Sequence, residues 1–442
     1  FKEIALLSDK YQDRLVFCLS FLTEATDSAY IIAQRIKTTY PNSLIICGGI
    51  HVTALPEEVL KNDYIDYVFV GEAENSIIEI YKKTKSNQCI KSVAGIGYKE
   101  NGIALINEKP SPIKDLDTIP SIPYEVFSKY GHYDLGYITS SRGCPYNCIF
   151  CNNNLTGSRL CRFNSVDRTI EDLNVLINKY GQTDITFFDD NFLSSPNRIK
   201  ELCSQIKINK FDEKARFMFQ TRAKDANPEL LDLLFQSGFK TVFFGIETVS
   251  EYLLNSVGKK ETIDDIKYAI KISKEIGFKV IANYLFCLPC ETHQNRKDCV
   301  NFSIINDLDV VKFNNVVPYP GTELFNRFKD TPNLYSNKNY TNYNSQLVLV
   351  TPFWKTIEFP FLPEKTTKTQ IKSDILWSYL RFFLRFKMIK SMLINKKWGG
   401  IIFRFGNNST EVFKNIPNAI ILTFDLTIKV LWFVITYPFV KK

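Results

Sequence analysis

Short apolar runs alternate with helical patterns over the first part of the chain. Three runs have the length and composition of buried strands, at residues 15–20, 43–47 and 64–70. Amphipathic segments with a helical period separate them, and a hairpin at residues 93–106 follows, with Asn101-Gly102 as its turn. The alternation predicts an α/β fold with a Rossmann-like parallel sheet, in a first domain of residues 1–107.

Proline marks a linker after this domain, because four of the 14 residues from Pro110 to Pro123 are proline. We place the linker at residues 108–136. Beyond it, residues 137–330 repeat the strand–helix rhythm. Strands are predicted at residues 137–140, 184–188, 216–220, 241–245, 279–286 and 310–314. Strands with helical crossovers form an open sheet or a partial barrel, and either has its active site at the carboxyl ends of the strands.

The last region, residues 331–442, differs in composition and is predicted to be mostly helical. An Asn- and Tyr-rich stretch is followed by a basic, aromatic helix, whose segment 377–388 is apolar nearly all round. Such a helix either binds a membrane surface or caps the barrel. Residues 419–437 are strongly apolar, but Asp425 and Lys429 near their centre favour a packed or interfacial helix over a membrane-spanning one.

The composition narrows the classes of function. The chain has 442 residues, a net charge of +8, 11 cysteines and 3 histidines. Eight basic residues and a single acid lie between residues 371 and 404, so the rest of the chain is nearly neutral, which argues against a nucleic-acid-binding surface. The cysteine content is too low for a disulfide scaffold and no signal peptide opens the sequence. We therefore expect a cytoplasmic protein whose neighbouring cysteines bind metal.

The strongest chemical signal is the run from Arg142 to Cys151, which follows the first predicted strand of the second domain. Its cysteines, Cys144, Cys148 and Cys151, are spaced C-x3-C-x2-C, and the Gly and Pro beside Cys144 let the loop turn sharply. Three thiolates on a four-iron cluster leave one iron open to a substrate or a cofactor. A structural zinc site, which ordinarily takes four protein ligands, and three unrelated thiols are the alternatives.

This spacing resembles that of the radical S-adenosylmethionine (SAM) superfamily, and further motifs extend the resemblance. They lie at predicted strand ends, at residues 188–192, 244–248, 286–292 and 318–324. Together they are similar to the branch that carries a cobalamin-binding domain in front of the radical SAM barrel, which includes the anaerobic Mg-protoporphyrin monomethyl ester cyclases. The resemblance implies a Rossmann-like cobalamin-binding domain followed by a partial (β/α)6 radical SAM barrel.

The resemblance also implies a mechanism and a set of cofactors: a 4Fe-4S cluster, SAM and cobalamin. Cys144, Cys148 and Cys151 would hold the cluster. SAM on its open iron would be cleaved to a 5′-deoxyadenosyl radical, which attacks an unactivated carbon. The backbone near Phe150 is expected to approach the adenine. The protein's part is to position the cofactors and to exclude water.

Residues at other strand ends are candidates for contacts with SAM, namely Asp189, Asp190, Arg222 and Glu247. The resemblance assigns the SAM amino group to the acidic pair, since a carboxylate suits an ammonium. It assigns the SAM carboxylate to Arg222, and a ribose or substrate hydroxyl to Glu247. A helix N-cap for the acidic pair and ordinary structural or surface roles for the other two are the alternatives.

The first domain contains residues similar to the lower half of a cobalamin-binding signature. Ser20 and Leu22 end one predicted strand, and after 25 residues Gly48-Gly49 ends the next. Small residues at neighbouring strand ends open a crevice for a nucleotide tail. Later motifs of the same family add candidate contacts at His51, Thr53, Gly71 and Glu72.

Only 19 residues precede Ser20, so we expect the family's earlier strand–helix units to be absent from this domain. The domain is then N-terminally incomplete, with an unpaired sheet edge and without the loop for a cobalt-ligating histidine. A Rossmann-like remnant that binds nothing is the alternative.

One departure from the family lies at Cys287-Leu288-Pro289-Cys290, where many relatives have Gly-Leu-Pro-Gly. Glycine permits close approach of the backbone to a ligand, so that contact is not carried over to this chain. We interpret the C-x2-C pair as two small packed side chains. A second metal site or a redox disulfide is the alternative.

The predicted function is a cobalamin-dependent radical SAM enzyme that methylates, cyclises or rearranges an unactivated carbon of a hydrophobic small molecule. We expect an external electron donor such as flavodoxin or ferredoxin, no nucleic acid, and a peripheral membrane contact if the basic helix binds lipid. A methylthiotransferase acting on RNA or protein is an alternative, since Cys18 and Cys47 lie at strand ends, although Cys89 falls in a polar loop. A non-catalytic module that binds an Fe–S cluster or cobalamin is another.

Overall fold

The computed structural model describes residues 15–129, 134–156, 159–352 and 355–388. Two main sheets, of five and six strands, organise these residues, and a two-stranded hairpin follows the first strand of the second sheet. Helices connect the parallel strands, so the predicted α/β class is confirmed.

The first sheet consists of β1 (Val16–Ser20), β2 (Leu44–Gly48), β3 (Tyr67–Phe69), β4 (Ile96–Glu100) and β5 (Ile103–Ile106), hydrogen-bonded in that order. The first three strands are parallel, and β4 and β5 add an antiparallel hairpin. The connections carry α1 (Thr26–Thr39), α2 (Ile50–Ala54), α3 (Pro56–Leu60) and α4 (Glu74–Lys85). This is the Rossmann-like arrangement that the alternation predicted, with β1 at the edge of the sheet in the described part of the chain.

The linker contains α5 (Tyr124–Ser128), and its described residues form no strand. The strands that follow are β6 (Tyr137–Ile138), β7 (Ser141–Arg142), β8 (Arg162–Phe163), β9 (Asp184–Phe187), β10 (Arg216–Thr221), β11 (Phe239–Glu247), β12 (Lys279–Phe286) and β13 (Val310–Asn315). The second sheet has the order β6-β9-β10-β11-β12-β13 and is parallel throughout. Its two outer strands do not pair with each other, so it is a partial barrel. The short antiparallel hairpin of β7 and β8 was not predicted.

Helices connect these strands: α6 (Asn153–Thr156), α7 (Val166–Asn174), α8 (Pro196–Ile208), α9 (Phe211–Lys214), α10 (Pro228–Gln236), α11 (Glu251–Ser256), α12 (Ile263–Ile276), α13 (His293–Ile305) and α14 (Glu323–Phe328). Local sequence explains several of their starts. Thr262 and Asp265 form a reciprocal capping box at α12, and Thr292 and Asn295 form one at α13. Asn227 caps α10, whose first residue is proline.

An aromatic core lies under the strand ends of the partial barrel. Phe187, Phe217, Phe219 and Phe239 are fully buried, and four pairs of their ring centroids are 5.1–6.0 Å apart. Leucines of α8 and α10 belong to the same apolar cluster. Close packing of this kind gives the loops above the strands a rigid base.

The C-terminal region contributes α15 (Leu347–Val350) and α16 (Lys368–Phe383). α16 packs on α13 and on the outer strand β13, where the hydroxyl of Tyr379 accepts a hydrogen bond from the Phe313 N–H at 3.0 Å. Arg381 donates to Asn301, and Lys387 pairs with Asp307. The basic helix therefore caps the barrel, which is one of its two predicted roles. Residues 419–437 lie outside the described residues, and among the described ones no helix has the length and apolarity to cross a bilayer.

Candidate functional site

The loop with the three cysteines is held by backbone hydrogen bonds to two later segments of the barrel. Cys151 N–H donates to the Cys148 carbonyl at 3.1 Å, which makes a tight turn. Between them, Ile149 donates to the Val257 carbonyl and accepts from the Leu324 N–H, at 3.1 and 2.9 Å. The loop is thus fixed between the ends of α11 and α14 as well as by the strand before it.

The three thiols lie in one another's electrostatic field, and each is half-buried. Burial raises the pKa of Cys144 to about 11 and that of Cys151 to about 12. Burial also raises the pKa of Cys148, while the charges of Lys259 and Arg222 act to lower it. The thiols are therefore protonated in the free protein, and binding of iron must displace three protons.

The arrangement of the thiols fits a cluster better than a single ion. Among the described residues, no three His, Cys, Asp or Glu side chains are grouped closely enough to hold one metal ion. A four-iron cluster takes each thiolate on a different iron, so its ligands are further apart than those of zinc. Cys161, which the sequence analysis left aside, lies next to this loop and donates to the Gly143 carbonyl at 3.5 Å.

The two acids after β9 have different surroundings. Asp189 is fully buried and accepts hydrogen bonds from Ser140 and Ser141, which join β9 to the start of the cysteine loop. Asp190 is exposed, and its carboxylate accepts from the Gly143 N–H at 3.0 Å. Asp189 therefore holds the strand ends together, and Asp190 is the one of the pair with access to a ligand beside the cysteines.

Arg222, at the end of β10, has a buried guanidinium with unused donors. Its Nε donates to Glu261 at 3.0 Å, and its plane lies over the ring of Tyr146. Nη1 and Nη2 have no hydrogen-bond partner among the described residues. Buried donors ordinarily find an acceptor. A ligand carboxylate beside the cysteine loop would supply one, which fits the predicted contact with SAM.

Glu247 ends β11 in the left-handed region, with φ of 67°. Its carboxylate lies 3.4 Å from the Lys259 ammonium and accepts from Asn283 at 3.1 Å. Lys259 also donates to the Gly245 carbonyl and lies 3.7 Å from Glu261. Arg222, Glu247, Lys259 and Glu261 thus form a buried group of two cations and two anions, which we call the charge quartet.

Phe150 stands between the last two cysteines of the loop and packs partly against the barrel core. Its contact with adenine stays a prediction.

In the first domain, the predicted crevice residues meet at the ends of β1 and β2. Ser20 is the register partner of Gly48, and Phe21 N–H donates to the Gly48 carbonyl at 3.2 Å. Gly49 has φ of +97°, and a Cβ there would come within 2.7 Å of the Phe21 carbonyl oxygen. Glycine is therefore required for the two strand ends to approach, and Ser20 and Leu22 are exposed beside them.

His51 follows these glycines at the start of α2 and is buried. Its Nδ1 is 3.3 Å from the Thr23 hydroxyl, its ring centroid is 5.0 Å from that of Tyr340, and its Nε2 has no partner among the described residues. Burial lowers the pKa of His51 to about 4, so the ring is neutral. Thr53 accepts from the Gly71 N–H at 3.2 Å, which ties α2 to the end of β3.

The crevice end of the first domain lies against the cysteine loop of the barrel. α2 contacts α6, the short helix just after Cys151. Between them, a Cβ on Gly321 would lie 2.5 Å from Leu155 of α6 and 3.2 Å from Ala54 of α2. Glu72, the last predicted crevice residue, forms an ion pair with Arg162, with 2.6 Å between Oε1 and Nη2. The two candidate sites therefore face each other across one interface.

Cys287 and Cys290 both have left-handed backbones, with φ of 68° and 63°. The glycines that many relatives have at these positions are thus explained by backbone conformation as well as by close approach. Cys287 is buried, and Cys290 is exposed. The prediction of two packed side chains holds for Cys287 alone, and both cysteines are free.

Comparison with known proteins agrees with this geometry. Residues 138–303 match the Radical SAM superfamily, and residues 10–80 match the B12 binding domain. An uncharacterized methyltransferase of Pyrococcus horikoshii is 30% identical over 395 residues, which cover 88% of this chain and 83% of that protein. The anaerobic magnesium-protoporphyrin IX monomethyl ester cyclase of Cereibacter sphaeroides is 24% identical over 397 residues, covering 86% of this chain and 61% of the cyclase.

A solved structure shares the fold. The cobalamin-dependent SAM radical enzyme OxsB, with aqua-cobalamin and SAM bound, superposes with a TM-score of 0.65 at 16% identity, covering 92% of this chain and 63% of that one. The chain thus spans less than two thirds of OxsB and of the cyclase, and most of the methyltransferase. From the two domain matches and the methyltransferase match, the chain belongs to the radical SAM enzymes with a B12-binding domain, whose cofactors are a 4Fe-4S cluster, SAM and cobalamin.

Proposed function

We propose that this enzyme transfers a methyl group to an unactivated carbon of a hydrophobic small molecule. The observation that supports it is the contact of α2 with α6, which brings the crevice end of the first domain next to the cysteine loop. Two cofactors held at these places would face a common space. The relative of Pyrococcus horikoshii, which this chain covers along 83% of its length, carries the name of a methyltransferase.

Different residues of the chain are assigned to the cluster and to SAM. When bound, the cluster and SAM supply an electron and a carbon radical, and cobalamin supplies a methyl group. Cys144, Cys148 and Cys151 would hold the cluster. The Nη groups of Arg222, which have no partner among the residues that the structure describes, would orient the SAM carboxylate. Asp190, exposed beside the loop, takes the SAM ammonium. The aromatic core below these residues gives the loops that carry them a rigid base.

Contacts for cobalamin are proposed at the open ends of β1 and β2. Ser20 and Leu22 are exposed there, and Gly48 leaves room, since a Cβ on it would meet its nearest atom at 3.9 Å. His51 follows Gly49 by two positions, and its buried Nε2 has no hydrogen-bond partner in the described part of the chain. The Gly71 N–H donates a hydrogen bond to the Thr53 hydroxyl. We assign to these two residues the shaping of the crevice rather than a direct contact with cobalamin.

Cyclisation is the second candidate. The cyclase of Cereibacter sphaeroides, which is named for magnesium-protoporphyrin IX monomethyl ester, matches 86% of this chain. A porphyrin ester is a large hydrophobic substrate, as the predicted function requires. Methyl transfer and ring closure are distinguished by whether a methyl group from SAM enters the product.

The methylthiotransferase alternative requires a second cluster in the first domain. Cys18 is exposed on β1 and Cys47 is buried on the neighbouring β2. Cys89 is exposed and accepts a hydrogen bond from the Lys91 N–H. The match of residues 10–80 to the B12 binding domain favours cobalamin in this domain.

An external donor, such as flavodoxin or ferredoxin, is proposed to reduce the cluster, since the cysteine loop is partly exposed. A cytoplasmic location stays a prediction. The described part of the basic helix is packed on the barrel, so a peripheral membrane contact is proposed only for residues 389–442, which lie outside the described residues.

The test is anaerobic reconstitution with iron, sulfide and hydroxocobalamin, followed by reduction with SAM deuterated in its methyl group. We expect about four irons per chain, retained corrin absorption, 5′-deoxyadenosine, and methyl label on cobalamin. Magnesium-protoporphyrin IX monomethyl ester serves as a hydrophobic probe, and a new ring without label would favour cyclisation.

The matched variants are Cys144→Ala, in the loop, and Cys89→Ala, an exposed cysteine outside it. Only the first should lose iron and SAM cleavage. Loss of cobalamin on desalting, with about eight irons per chain, would contradict the proposal and favour the methylthiotransferase.

A further inference from the structure

Two acids of the first domain bind two arginines that flank the cysteine loop. Glu72 and Arg162 form a bidentate pair, with Oε2–Nη1 and Oε1–Nη2 distances of 2.8 and 2.6 Å. Glu74, at the start of α4, accepts from Nη2 of Arg142 at 2.6 Å. Bidentate arginine–carboxylate pairs fix orientation as well as distance.

The arginines belong to the hairpin that brackets the cysteine loop. In the register of β7 and β8, Arg142 lies directly opposite Arg162. Like charges at opposed positions of an antiparallel pair are destabilising. In the hairpin alone the two arginine side chains would therefore repel each other. The carboxylates of Glu72 and Glu74 neutralise their charges.

The carboxylate of Glu72 accepts three hydrogen bonds and also lies 3.7 Å from Nη1 of Arg142. The side chain of Glu72 is 7% exposed, and besides Arg162 it accepts the Ile113 N–H of the linker at 2.9 Å. Arg162 in turn donates to the Ile113 carbonyl at 2.6 Å. Four hydrogen bonds thus join Glu72, Arg162 and the linker, and a direct contact between Glu72 and a cofactor would compete with them.

We propose that Glu72 and Glu74 are positioning residues that clamp the first domain to the cysteine-loop hairpin and so set the separation of the cobalt from the cluster. The inference rests on the proposed function, because the separation matters only if both cofactors act on one reaction. It gives Glu72 a different role from the cofactor contact that the sequence suggested. The acids follow β3 directly, two positions apart, so the crevice and the clamp share one loop.

The test is a set of variants in the reconstituted holoenzyme: Glu72→Gln, Glu74→Gln, and the double exchange Glu72→Arg with Arg162→Glu. The control is Glu100→Gln, which removes an exposed partner of Lys91 in the same domain. Two readouts are used: the magnetic interaction between cob(II)alamin and the reduced cluster by electron paramagnetic resonance, and the ratio of methyl transfer to 5′-deoxyadenosine formation.

In Glu72→Gln we expect SAM cleavage close to wild type, a weakened or broadened magnetic interaction, and methyl transfer lower by roughly tenfold to a hundredfold. Glu74→Gln, at a more exposed position, should change the same readouts less, and the double exchange should recover part of the interaction. An unchanged interaction in both glutamine variants overturns the proposal, as does an equal change in Glu100→Gln. If the wild type shows the interaction without transferring methyl groups, the proposed function fails while the clamp is still tested by the spectrum.

Discussion

The guanidinium carbon of Arg222 lies 3.6 Å from the ring centroid of Tyr146, a residue of the cysteine loop between Cys144 and Cys148. This stacking joins the end of β10 to the loop, and the Nε bond to Glu261 fixes the plane of the guanidinium. Both Nη groups are then presented from a rigid support. A preorganised fork of this kind loses little entropy when it binds a carboxylate.

Replacing Arg222 by Gln is expected to weaken SAM binding by roughly tenfold or more, because a charge-assisted bidentate contact is lost. Arg222→Lys should recover only part of the affinity, since an ammonium lacks the fork. The measurement is SAM binding by calorimetry on the reconstituted protein. Arg216→Gln, at an exposed pair with Asp184, is the control and should bind SAM as wild type does. Equal affinity in Arg222→Gln would contradict the assignment.

Replacing Lys259 by Met is expected to make the cluster harder to reduce, with a midpoint potential more negative by tens of millivolts, on the order expected for one charge at this range. The reason is that the positive charge of Lys259 acts more strongly on Cys148 than that of Arg222. Without it, the negative charges of Glu247 and Glu261 lose the cation that neutralises them. A spectroscopic redox titration measures the potential. Lys259→Arg should restore it, and Lys267→Met, at an exposed site, should leave it unchanged.

Replacing Arg296 by Met is expected to destabilise the protein by about 3 to 5 kcal/mol, the usual result of removing one partner of a buried ion pair. Arg296 is 1% exposed and binds Glu291 at 2.9 Å and Asp374 of α16 at 2.7 Å. Urea unfolding gives the difference. Arg327→Gln, which breaks an exposed pair with Glu323, should change stability by about 0.5 kcal/mol or less. Similar values for the two variants would show that the buried group adds little.

The pH dependence of stability should carry a contribution from Asp189. Burial raises its pKa to about 6, against the hydrogen bonds from Ser141 and Ser140. The folded protein therefore binds this proton more tightly than the unfolded chain, whose Asp pKa is about 4. The resulting stabilisation is full below about pH 4 and is lost as the pH rises through about 6, with a size of about 3 kcal/mol.

The measurement compares urea unfolding at several pH values between these limits. The wild type should gain stability relative to Asp189→Asn as the pH falls from 7 to about 4.5. Asp184→Asn, at a half-exposed site, is the matched control. Parallel pH profiles for wild type and Asp189→Asn would refute the expectation.

Local sequence predicted much of the fold and the centre of the site. The strand ends with Cys144, Gly48-Gly49 and Arg222 were predicted because apolar runs, cysteine spacing and small residues are recognisable in a short stretch of sequence. The different roles of Asp189, which is buried, and Asp190, which is exposed, were not predicted. Adjacent side chains at a strand end point to opposite sides, and the sequence does not tell which side is buried.

From the sequence we singled out Arg222, Glu247 and Glu72, but we did not predict their partners in the charge quartet and the clamp. Nothing in the local sequence distinguishes Lys259 and Glu261 from ordinary surface charges. The folded chain buries both of them near Glu247. Arg162 and Glu72 are separated by 90 positions, and the hairpin that carries Arg162 has two-residue strands that no periodicity can reveal. Contacts of this range depend on the whole topology rather than on any pattern in the chain.

The cap formed by α16 has a consequence for handling the protein. β13 is the last strand of an open sheet. The Phe313 N–H donates to the hydroxyl of Tyr379 of α16, and the Asn315 N–H donates to the Ser345 carbonyl. Truncation before Lys368, the obvious step for removing an aromatic and basic tail, would remove the partner of the Phe313 N–H and uncover an edge strand. An uncovered edge strand is open to strand addition from a neighbouring molecule. The helix whose composition suggests affinity for lipid thus covers the edge strand of the barrel sheet.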